Sequence, residues 1–290
     1  MREPGLLIRA HGGFFDVETE NGLLRCKARG RLHLDGLEPL PGDRVIWEPD
    51  PHHAEFGILT GIEPRKNVFV RPNVANLDQL VFIASAARPH TDPYLIDQMS
   101  VVAESADCEF LLCVNKTDLL SAEEYEKLYR DCGFQVLSVS AATGEGLDGL
   151  KAALNGKVSA LTGNSGVGKT SLLNLLFPGL ERETGEISPK HGRGRHTTRL
   201  TELFRLPDSG YVADTPGFAA LEFSRLTRLE PEEIAFCFPE FPAGKCRFPD
   251  CMHRSEPDCA VRTAVNAGEI AESRYRSYLR LLQETPSQAY

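Results

Sequence analysis

A glycine-rich segment that ends in a lysine and a threonine carries the strongest chemical signal in this sequence. The segment GNSGVGKT, Gly163 to Thr170, matches the pattern G-x-x-x-x-G-K-T and stands between a β-rich run and an apolar helical run. Glycines let backbone N–H groups wrap phosphates, and a helix N-terminus favours negative charge. Lys169 would reach the β- and γ-phosphates of a nucleotide, and the Thr170 hydroxyl would ligate Mg²⁺. The alternative is a chance glycine-rich turn.

Two segments upstream have the residue types that read a guanine base. NKTD, Asn115 to Asp118, ends an apolar run, and open α/β sheets bind ligands at such strand ends. The Asp118 carboxylate can accept hydrogen bonds from guanine N1–H and the 2-amino group, both of which adenine lacks. SAATGEG, Ser140 to Gly146, follows another β-run, and the amide of Ala141 can donate to guanine O6. Taken alone, NKTD is better explained as a turn, because Asn and Asp favour turns, and SAATGEG is a weak signal.

Two segments downstream supply the remaining parts of a GTP-hydrolysing site. DTPG follows the strand-like run YVA, and there Asp214 would hold Mg²⁺ through water while the Gly217 amide would contact the γ-phosphate. GRGRHTTR lies between the phosphate loop and DTPG. Its Thr197 or Thr198 can close onto Mg²⁺ and the γ-phosphate, which would order a switch loop. The alternative for this segment is an ordinary basic loop.

The order of these motifs is unusual, since the base-reading segments precede the phosphate loop. Ordinary small GTPases begin with the phosphate loop, so the order NKTD, SAAT, GNSGVGKT, HTT, DTPG predicts a circular permutation. A parallel sheet survives this change because the strands keep their places and only the connections move. The chain then leaves the nucleotide domain directly after DTPG, so the segment that follows is tied to the part that senses the γ-phosphate.

The residue after DTPG predicts slow hydrolysis by the chain alone. Many GTPases place a glutamine there to orient the attacking water, whereas this chain has Phe218. His196, beside the switch threonines, is the candidate for the missing group. Alternatively, His196 is a loop histidine that binds a phosphate, or RNA or a side chain of a partner completes the site.

A cysteine-rich segment near the C-terminus has the ligand types of a zinc site. Cys246, Cys251, His253 and Cys259 offer three thiolates and one imidazole, a complete tetrahedral set, although the spacing C-x4-C-x-H-x5-C is not that of a standard finger. Few apolar residues lie nearby to hold this segment otherwise, which favours a metal. Four protein ligands leave no open position, so one structural Zn²⁺ per chain is predicted. The alternative is a loop with free cysteines.

The elements that must position these residues fall into three predicted domains. Short runs separated by turn residues (GLLIRA, GFFDVET, LLRCKA, DRVIWE, FGILTGI) predict an N-terminal β-barrel of the OB-fold type over residues 1–72, with a generic small β-domain as the alternative. Alternating strands and helices predict an α/β, circularly permuted GTPase domain with a parallel sheet over residues 73–228. Residues 229–290 predict a zinc-binding, mostly α domain, in which AVNAGEIAESRYRSYLRLLQET forms an amphipathic helix.

Composition limits the class of protein. The formal net charge of -9 argues against bulk electrostatic coating of nucleic acid, but not against a local basic patch. No apolar run approaches the roughly 18 residues of a membrane span, and the N-terminus lacks a signal peptide, which predicts a cytoplasmic protein without a membrane partner. Cys26, Cys108, Cys113 and Cys132 stand in apolar or strand-like settings and are predicted to be buried, unpaired residues.

Together these motifs resemble the RsgA family, also called the YjeQ family, of circularly permuted GTPases that depend on the small ribosomal subunit. The permuted motif order and the Cys3His pattern carry the resemblance, which covers essentially the whole chain. It implies late maturation of the small subunit, stimulation of GTP hydrolysis by that subunit, ribosomal RNA as the main partner, and the same role for His196. The local basic cluster that fits RNA comprises Lys190, His191, Arg193, Arg195, His196 and Arg199.

The predicted assignments are therefore as follows. The chain is expected to be a monomer that binds GTP and GDP. His196, Lys169 and Thr198 are the catalytic candidates, and Thr170, Thr198 and Asp214 are the magnesium candidates. The predicted nucleotide-binding residues are Asn115, Lys116, Asp118, Ser140, Ala141, Gly163, Asn164, Ser165, Gly166, Val167, Gly168, Lys169, Thr170, Ser171, Asp214 and Gly217.

Two alternatives to a dedicated GTP hydrolase remain open from the sequence. In the first, the protein is a nucleotide-switched RNA-binding placeholder in which hydrolysis is only a release timer. In the second, it is an ATP-dependent RNA-binding protein. Replacement of Asp118 discriminates the second, because an adenine binder would be unaffected by it.

Overall fold

The computed structural model describes residues 2–28, 38–53, 55–70, 73–177, 201–213, 223, 226–227 and 229–285. The chain divides into two compact units. The first comprises the described residues within Met1–Asp78, Leu154–Leu161 and Arg182–Phe218, and the second comprises those within Gln79–Ala153, Thr162–Glu181 and Ala219–Tyr290. These units do not test the predicted boundaries after residues 72 and 228, which stay predictions.

A closed barrel opens the first unit. Its strands are β1 (Glu3–His11), β2 (Phe14–Thr19), β3 (Gly22–Ala28), β4 (Arg44–Pro49) and β5 (Phe56–Ile62), which pair in the order β1-β2-β3-β5-β4. Strands β3 and β5 run parallel, and the other barrel pairs are antiparallel. The predicted N-terminal β-barrel of OB type is confirmed.

The barrel closes because β1 also pairs with β4, and alternate residues of its strands point inward. Its core cluster contains Leu7, Phe15, Val17, Cys26, Val45, Trp47 and Leu59. Burial raises the pKa of the Cys26 thiol to about 11, as expected of a thiol packed as a small hydrophobe. A short hairpin of β6 (Val68–Val70) and β7 (Asn73–Ala75) follows the barrel, and the sequence did not predict it.

Three further strands belong to the first unit. Strand β11 (Val158–Thr162, whose last residue belongs to the second unit) pairs in parallel with β13 (Tyr211–Ala213), and β12 (Leu203–Arg205) pairs antiparallel with β13. Strands β11 and β13 were predicted, whereas β12 was not. The β12–β13 hairpin contacts the barrel, because Arg9 forms an isolated antiparallel bridge with Glu202.

The second unit contains parallel strands β8 (Gln79–Ser85), β9 (Glu109–Asn115) and β10 (Gln135–Ser138). All residues of β8 are buried, as expected of a strand covered on both faces. Helices α1 (Pro93–Ser105), α2 (Glu123–Asp131) and α3 (Leu147–Leu154) alternate with these strands and with β11. Helix α1 begins where Asp92 accepts a hydrogen bond from the Tyr94 amide and Pro93 occupies the first turn. The alternation confirms the predicted α/β domain.

The remaining helices also lie in the second unit. Helix α4 (Lys169–Leu176) follows the phosphate loop, and a 3-10 helix spans Pro231–Cys237. The prediction of one long C-terminal helix from AVNAGEIAESRYRSYLRLLQET is wrong in one respect. It is two helices, α5 (Ala260–Asn266) and α6 (Glu272–Glu284), because Gly268 takes a positive φ of 76° and ends the first.

Candidate nucleotide site and metal cluster

The predicted phosphate loop connects β11 to α4 and depends on its glycines. Gly163, Gly166 and Gly168 have φ values of 142°, 77° and 100°, which residues with a Cβ rarely adopt. A Cβ at Gly163 would also collide with the Ile83 carbonyl, and one at Gly168 with the side chain of Asn115. The loop therefore lies tightly against the ends of β8 and β9, where substitution of either glycine would displace it.

The Lys169 side chain folds back over this loop. Its ammonium donates to the carbonyl oxygens of Gly163 and Asn164, both at 2.6 Å. Burial lowers the pKa of Lys169, since the low-polarity surroundings disfavour its charge. Thr170 and Ser171 follow in the first turn of α4, and both are half-buried. The arrangement places one cation and a helix N-terminus on the same loop.

Asn115 joins the three predicted motifs. Its side-chain amide donates to the Val167 carbonyl at 2.8 Å, and its side-chain oxygen accepts from the Ala141 amide at 3.0 Å. Asn115 is itself buried, at 1% exposure. The phosphate loop and the NKTD and SAAT segments are therefore held together by one side chain, although they are far apart in the sequence.

Lys116 also contacts the phosphate loop. Its ammonium donates to the carbonyl oxygens of Gly166 and Arg88, both at 2.8 Å. The Pro89 ring lies against Gly166, 3.3 Å from the position a Cβ would take. The Arg88–Pro89 segment was not predicted from the sequence. Its place directly after the buried strand β8, like that of NKTD after β9, was the signal that could have found it.

The Asp118 carboxylate is oriented by its neighbour in the SAAT segment. The hydroxyl of Ser140 donates to Asp118 at 2.6 Å, and the Ser140 oxygen in turn accepts from the Thr143 amide at 3.2 Å. Ser140 is buried, whereas Asp118 is exposed. An exposed carboxylate with a fixed orientation is suited to accept hydrogen bonds from a ligand.

Several predicted site residues lie outside the described residues. They are His196, Thr197, Thr198, Asp214, Gly217 and Phe218, together with the other members of the basic cluster around His196. Strand β13 ends at Ala213, directly before Asp214.

The predicted zinc ligands converge. The ligand atoms of Cys246, Cys251, His253 and Cys259 all lie within 4.8 Å of one another. The His253 Nδ1 atom is 3.5 Å from the Cys246 sulfur and 3.4 Å from the Cys259 sulfur, and the two sulfurs are 4.0 Å apart. Tetrahedral zinc with bonds of about 2.0–2.3 Å needs ligand separations of about 3.5–4 Å, so this donor set fits the ion.

Hydrogen bonds shape the loop around this cluster. The Glu256 carboxylate accepts from the amides of Met252, Arg254 and Ser255 at 2.7 to 2.9 Å. The hydroxyls of Tyr275 and Tyr278, on α6, donate to the carbonyl oxygens of His253 and Met252 at 2.6 and 2.8 Å. Helix α6 therefore holds the segment that carries two of the four ligand residues.

A buried charged network, which the sequence did not reveal, joins α6 to α1. The Arg274 guanidinium, fully buried, donates to Asp97 on α1 at 2.8 Å and to Glu240 at 2.7 Å. The Tyr129 hydroxyl also donates to Asp97, at 2.8 Å. Because its members are far apart in the sequence, no local spacing pattern could have identified the network.

Comparison with known proteins gives a consistent result over the whole length. The family model described as "RsgA GTPase" matches residues 62–224, and the one described as "RsgA N-terminal domain" matches residues 4–54. A protein of Moorella thermoacetica named "Small ribosomal subunit biogenesis GTPase RsgA" is 46% identical over 97% of this chain and 96% of its own length. A protein of Caldanaerobacter subterraneus with the same name is 45% identical over 98% of this chain and 96% of its own length.

Solved structures agree with the described fold. The crystal structure of YjeQ from Thermotoga maritima has a TM-score of 0.83 at 37% identity and covers 98% of both chains. The structure of YloQ, a circularly permuted GTPase, has a TM-score of 0.82 at 32% identity and covers 98% of this chain and 95% of that one. The predicted circular permutation is confirmed, and the chain belongs to the RsgA GTPase family.

Proposed function

We propose that the chain binds the small ribosomal subunit and hydrolyses GTP during the biogenesis of that subunit. The observation that carries the nucleotide part is the pair of hydrogen bonds that Asn115 donates to the Val167 carbonyl and accepts from the Ala141 amide, because they bring base-reading and phosphate-binding segments into one site. The subunit part rests on the relatives, which are named small ribosomal subunit biogenesis GTPases.

The guanine base would bind between the NKTD and SAAT segments. The Asp118 carboxylate, oriented by Ser140, would accept from guanine N1–H and the 2-amino group. The Ala141 amide, which donates to the Asn115 side-chain oxygen at 3.0 Å, would share its N–H between that oxygen and guanine O6. An ATP-dependent alternative gains nothing from this arrangement, because adenine lacks the N1–H and the 2-amino group that would donate to this carboxylate.

The phosphates would bind in the loop from Gly163 to Lys169. Lys169 would exchange the two neutral carbonyl partners for phosphate oxygens, and such bonds between opposite charges are stronger. Hydrolysis then depends on positioning and on charge neutralisation. Thr170, Thr198 and Asp214 would hold the Mg²⁺ that accompanies GTP, and the Gly217 amide would contact the γ-phosphate.

His196 is proposed to orient or activate the attacking water, since Phe218 cannot do so. Phe218 is the reason to expect slow hydrolysis by the chain alone. His196 would supply the missing group in the faster hydrolysis on the subunit. In the Cys3His cluster, Cys246, Cys251, His253 and Cys259 would hold one structural Zn²⁺, which supplies a cross-link and no chemistry. The observed convergence of the four ligand atoms supports this assignment.

The proposal extends to partners and location. Ribosomal RNA would be the main contact, with the basic residues around His196 as one contributing segment. The chain would act as a monomer in the cytoplasm. Among the helices of the described residues, none combines the length and the apolar character needed to cross a bilayer.

The direct test is the rate of GTP hydrolysis with and without purified small subunits. We expect a slow rate alone and a marked increase with subunits, with Lys169→Ala as the inactive control and ATP as the control substrate. An unchanged rate in the presence of subunits would overturn the proposal. Release of the protein is measured in parallel with a non-hydrolysable GTP analogue. Association without release in that assay would give hydrolysis the role of a release step.

A further inference from the structure

The loop between β8 and α1, residues 86–91, lies against the phosphate loop, and we call it the arginine loop. The Lys116 ammonium donates to the Arg88 carbonyl of the arginine loop and to the Gly166 carbonyl of the phosphate loop, both at 2.8 Å. The Pro89 ring lies 3.3 Å from the position that a Cβ of Gly166 would take. The backbone at Arg88 is therefore held beside the middle of the phosphate loop.

Hydrogen bonds on both sides of Arg88 fix the backbone of the arginine loop. The Ser85 hydroxyl donates to the Ala87 carbonyl at 2.8 Å, and the Ser85 amide donates to the Thr91 hydroxyl at 2.9 Å. The Thr91 carbonyl in turn accepts from the Tyr125 hydroxyl at 3.0 Å. Ser85 and Thr91 are both buried. The position of Arg88 is thus set by the fold itself.

The Arg88 side chain is exposed, and its charge has no partner within the described part of the chain. No described residue accepts a hydrogen bond from its guanidinium or forms an ion pair with it. The other two cations of the site differ, because Lys116 and Lys169 each donate to two carbonyl oxygens. A guanidinium offers five donors in a planar fork that matches the oxygens of a phosphate. Arg88 is therefore free to bind a phosphate next to the phosphate loop.

The charged groups in the neighbouring segments leave the charge of Arg88 uncompensated. Asp92 caps α1, Glu124 lies in the first turn of α2, and Asp118 accepts a hydrogen bond within the base-reading segments. None of these three carboxylates forms an ion pair with Arg88 among the contacts of the described residues. His90, in the arginine loop itself, is exposed and adds no negative charge. An anion bound beside Arg88 would thus not have to displace a carboxylate.

We infer that Arg88 is a further nucleotide-binding residue, whose guanidinium donates to the α- and β-phosphates of GTP and GDP. The backbone amides of a phosphate loop hold the α- and β-phosphates, whereas the lysine at its end reaches the β- and γ-phosphates. Arg88 is held beside Gly166, in the middle of the loop, so the first two phosphates are within its reach. The inference rests on the proposed function and adds a residue to its nucleotide site.

The test compares Arg88→Gln with the unmodified full-length chain in titrations with GDP and with GTP in the presence of Mg²⁺. Both affinities should fall by the same factor, roughly 5- to 20-fold, because bonds to a charged group are lost at an exposed, partly screened position. Arg88→Lys should retain part of the affinity, since it keeps the charge without the fork. Raising the salt concentration should narrow the difference between Arg88→Gln and the unmodified chain.

Kinetics separate binding from chemistry. An interaction that is made equally with substrate and transition state raises KM when it is removed and leaves kcat unchanged. In Arg88→Gln the KM for GTP should therefore rise by the factor seen in the titrations, while kcat stays the same. GDP keeps the α- and β-phosphates, so a fluorescent GDP analogue should dissociate faster from Arg88→Gln than from the unmodified chain.

The matched control is Arg276→Gln, which removes the same charge from an exposed position. The Arg276 guanidinium pairs with Glu272 on α6 at 2.6 Å. Affinity of this variant for GDP and GTP should stay within about twofold of the unmodified chain, because exposed ion pairs contribute little. Thermal unfolding of each variant checks the fold, and Arg88→Lys keeps the test decisive if Arg88→Gln is unstable.

Three results would overturn the inference. They are a GDP affinity of Arg88→Gln within about twofold of the unmodified chain, equal losses for Arg88→Gln and Arg276→Gln, and a loss for GTP that GDP does not share. Failure of the proposed function gives a different result. An unmodified chain that binds neither GTP nor GDP would refute the nucleotide site and this inference with it, whereas normal binding by Arg88→Gln would refute the inference alone.

Discussion

Asp118 is the residue on which nucleotide selectivity is proposed to depend. Its carboxylate is exposed and is oriented by a 2.6 Å hydrogen bond from Ser140. Asp118→Asn replaces one acceptor oxygen with a donor, so a guanine donor loses its partner and faces another donor. We expect the affinity for GTP to fall roughly 5- to 150-fold, the equivalent of about 1–3 kcal/mol for a polar group left without its partner.

Equilibrium titration with a fluorescent GTP analogue measures the loss for Asp118→Asn. The control is Asp131→Asn on α2, an exposed carboxylate that pairs with Lys127 at 2.9 Å. Affinity for ATP analogues should not change in either variant. Equal GTP affinity in the two variants would remove Asp118 from the base site.

His196 carries the second prediction at the residue scale. In His196→Ala the missing water-orienting group cannot be supplied by Phe218, so turnover stimulated by the small subunit should be abolished. GTP affinity should stay near normal, because base and phosphates are bound by other residues. Single-turnover hydrolysis with saturating subunits measures the effect, and an unchanged stimulated kcat would exclude His196 from the reaction.

At the scale of elements, the barrel is connected to the β12–β13 hairpin through Glu18. The Glu18 carboxylate accepts from the Tyr211 hydroxyl at 2.9 Å and pairs with Arg205. Burial, together with the hydrogen bond to Glu18, raises the pKa of Tyr211 to about 12. Since β13 ends directly before Asp214, this contact anchors the strand that leads into the DTPG segment.

The raised pKa of Tyr211 predicts a change of stability with alkaline pH. A group with a raised folded-state pKa contributes stability that is complete below its unfolded pKa, about 10, and is lost as pH rises toward about 12. Tyr211→Phe removes that contribution. The difference in unfolding free energy between the unmodified chain and the variant should therefore be constant from pH 7 to 9 and shrink above pH 10.

Urea unfolding at each pH measures this difference for Tyr211→Phe. At pH 8 it should be about 1 kcal/mol, the usual contribution of one hydrogen bond. The control is Tyr275→Phe. Burial raises the pKa of Tyr275 as well, but its hydroxyl donates to a backbone carbonyl and not to a carboxylate, so its stability difference should shrink less at alkaline pH. A difference for Tyr211→Phe that stays constant to pH 12 would contradict the assignment.

Elements with a strong local pattern could be predicted from the sequence, and those defined by distant partners could not. The buried strands β8 and β9 are long apolar runs, and glycines mark the phosphate loop. Strand β12 has 3 residues and exists because it pairs with β13, so its own sequence carries little signal. The break between α5 and α6 was missed because the apolar spacing continues across Gly268.

The candidate site shows the same division. Asn115, Asp118 and Lys169 were predicted because their types and spacing are fixed by nucleotide chemistry. The contact of Lys116 with Arg88 was not predicted. Its acceptor is a backbone carbonyl oxygen, which every residue has and which no sequence pattern marks. Sequence patterns report side-chain chemistry, whereas backbone partners follow only from the fold.

For the whole molecule, Arg274 connects α6, which contacts the Cys3His segment, to helix α1 of the same unit. It is fully buried between Asp97 and Glu240, and the Phe238 ring centroid lies 4.6 Å from its guanidinium carbon. Buried ion pairs often add little net stability, but removal of one partner leaves buried charge uncompensated. The network is therefore expected to fix how α6 packs on α1 more than to add stability.

Arg274→Met keeps the side-chain volume and removes the charge, leaving two buried carboxylates. We expect the free energy of unfolding to fall by about 3–5 kcal/mol at neutral pH, the usual effect of breaking a buried pair. Burial already raises the pKa of Asp97 while Arg274 opposes this, so the variant should raise it further. A raised carboxyl pKa favours the folded state at low pH, and the difference between Arg274→Met and the unmodified chain should shrink as pH falls.

The control is Arg276→Ala on the same helix, whose pair with Glu272 is exposed and should contribute no more than about 1 kcal/mol. Urea unfolding from pH 5 to 8 measures both variants, with zinc content determined alongside. Equal losses for the two arginines would show that the buried network does not determine how α6 packs, and a difference independent of pH would show that the carboxylates do not take up protons.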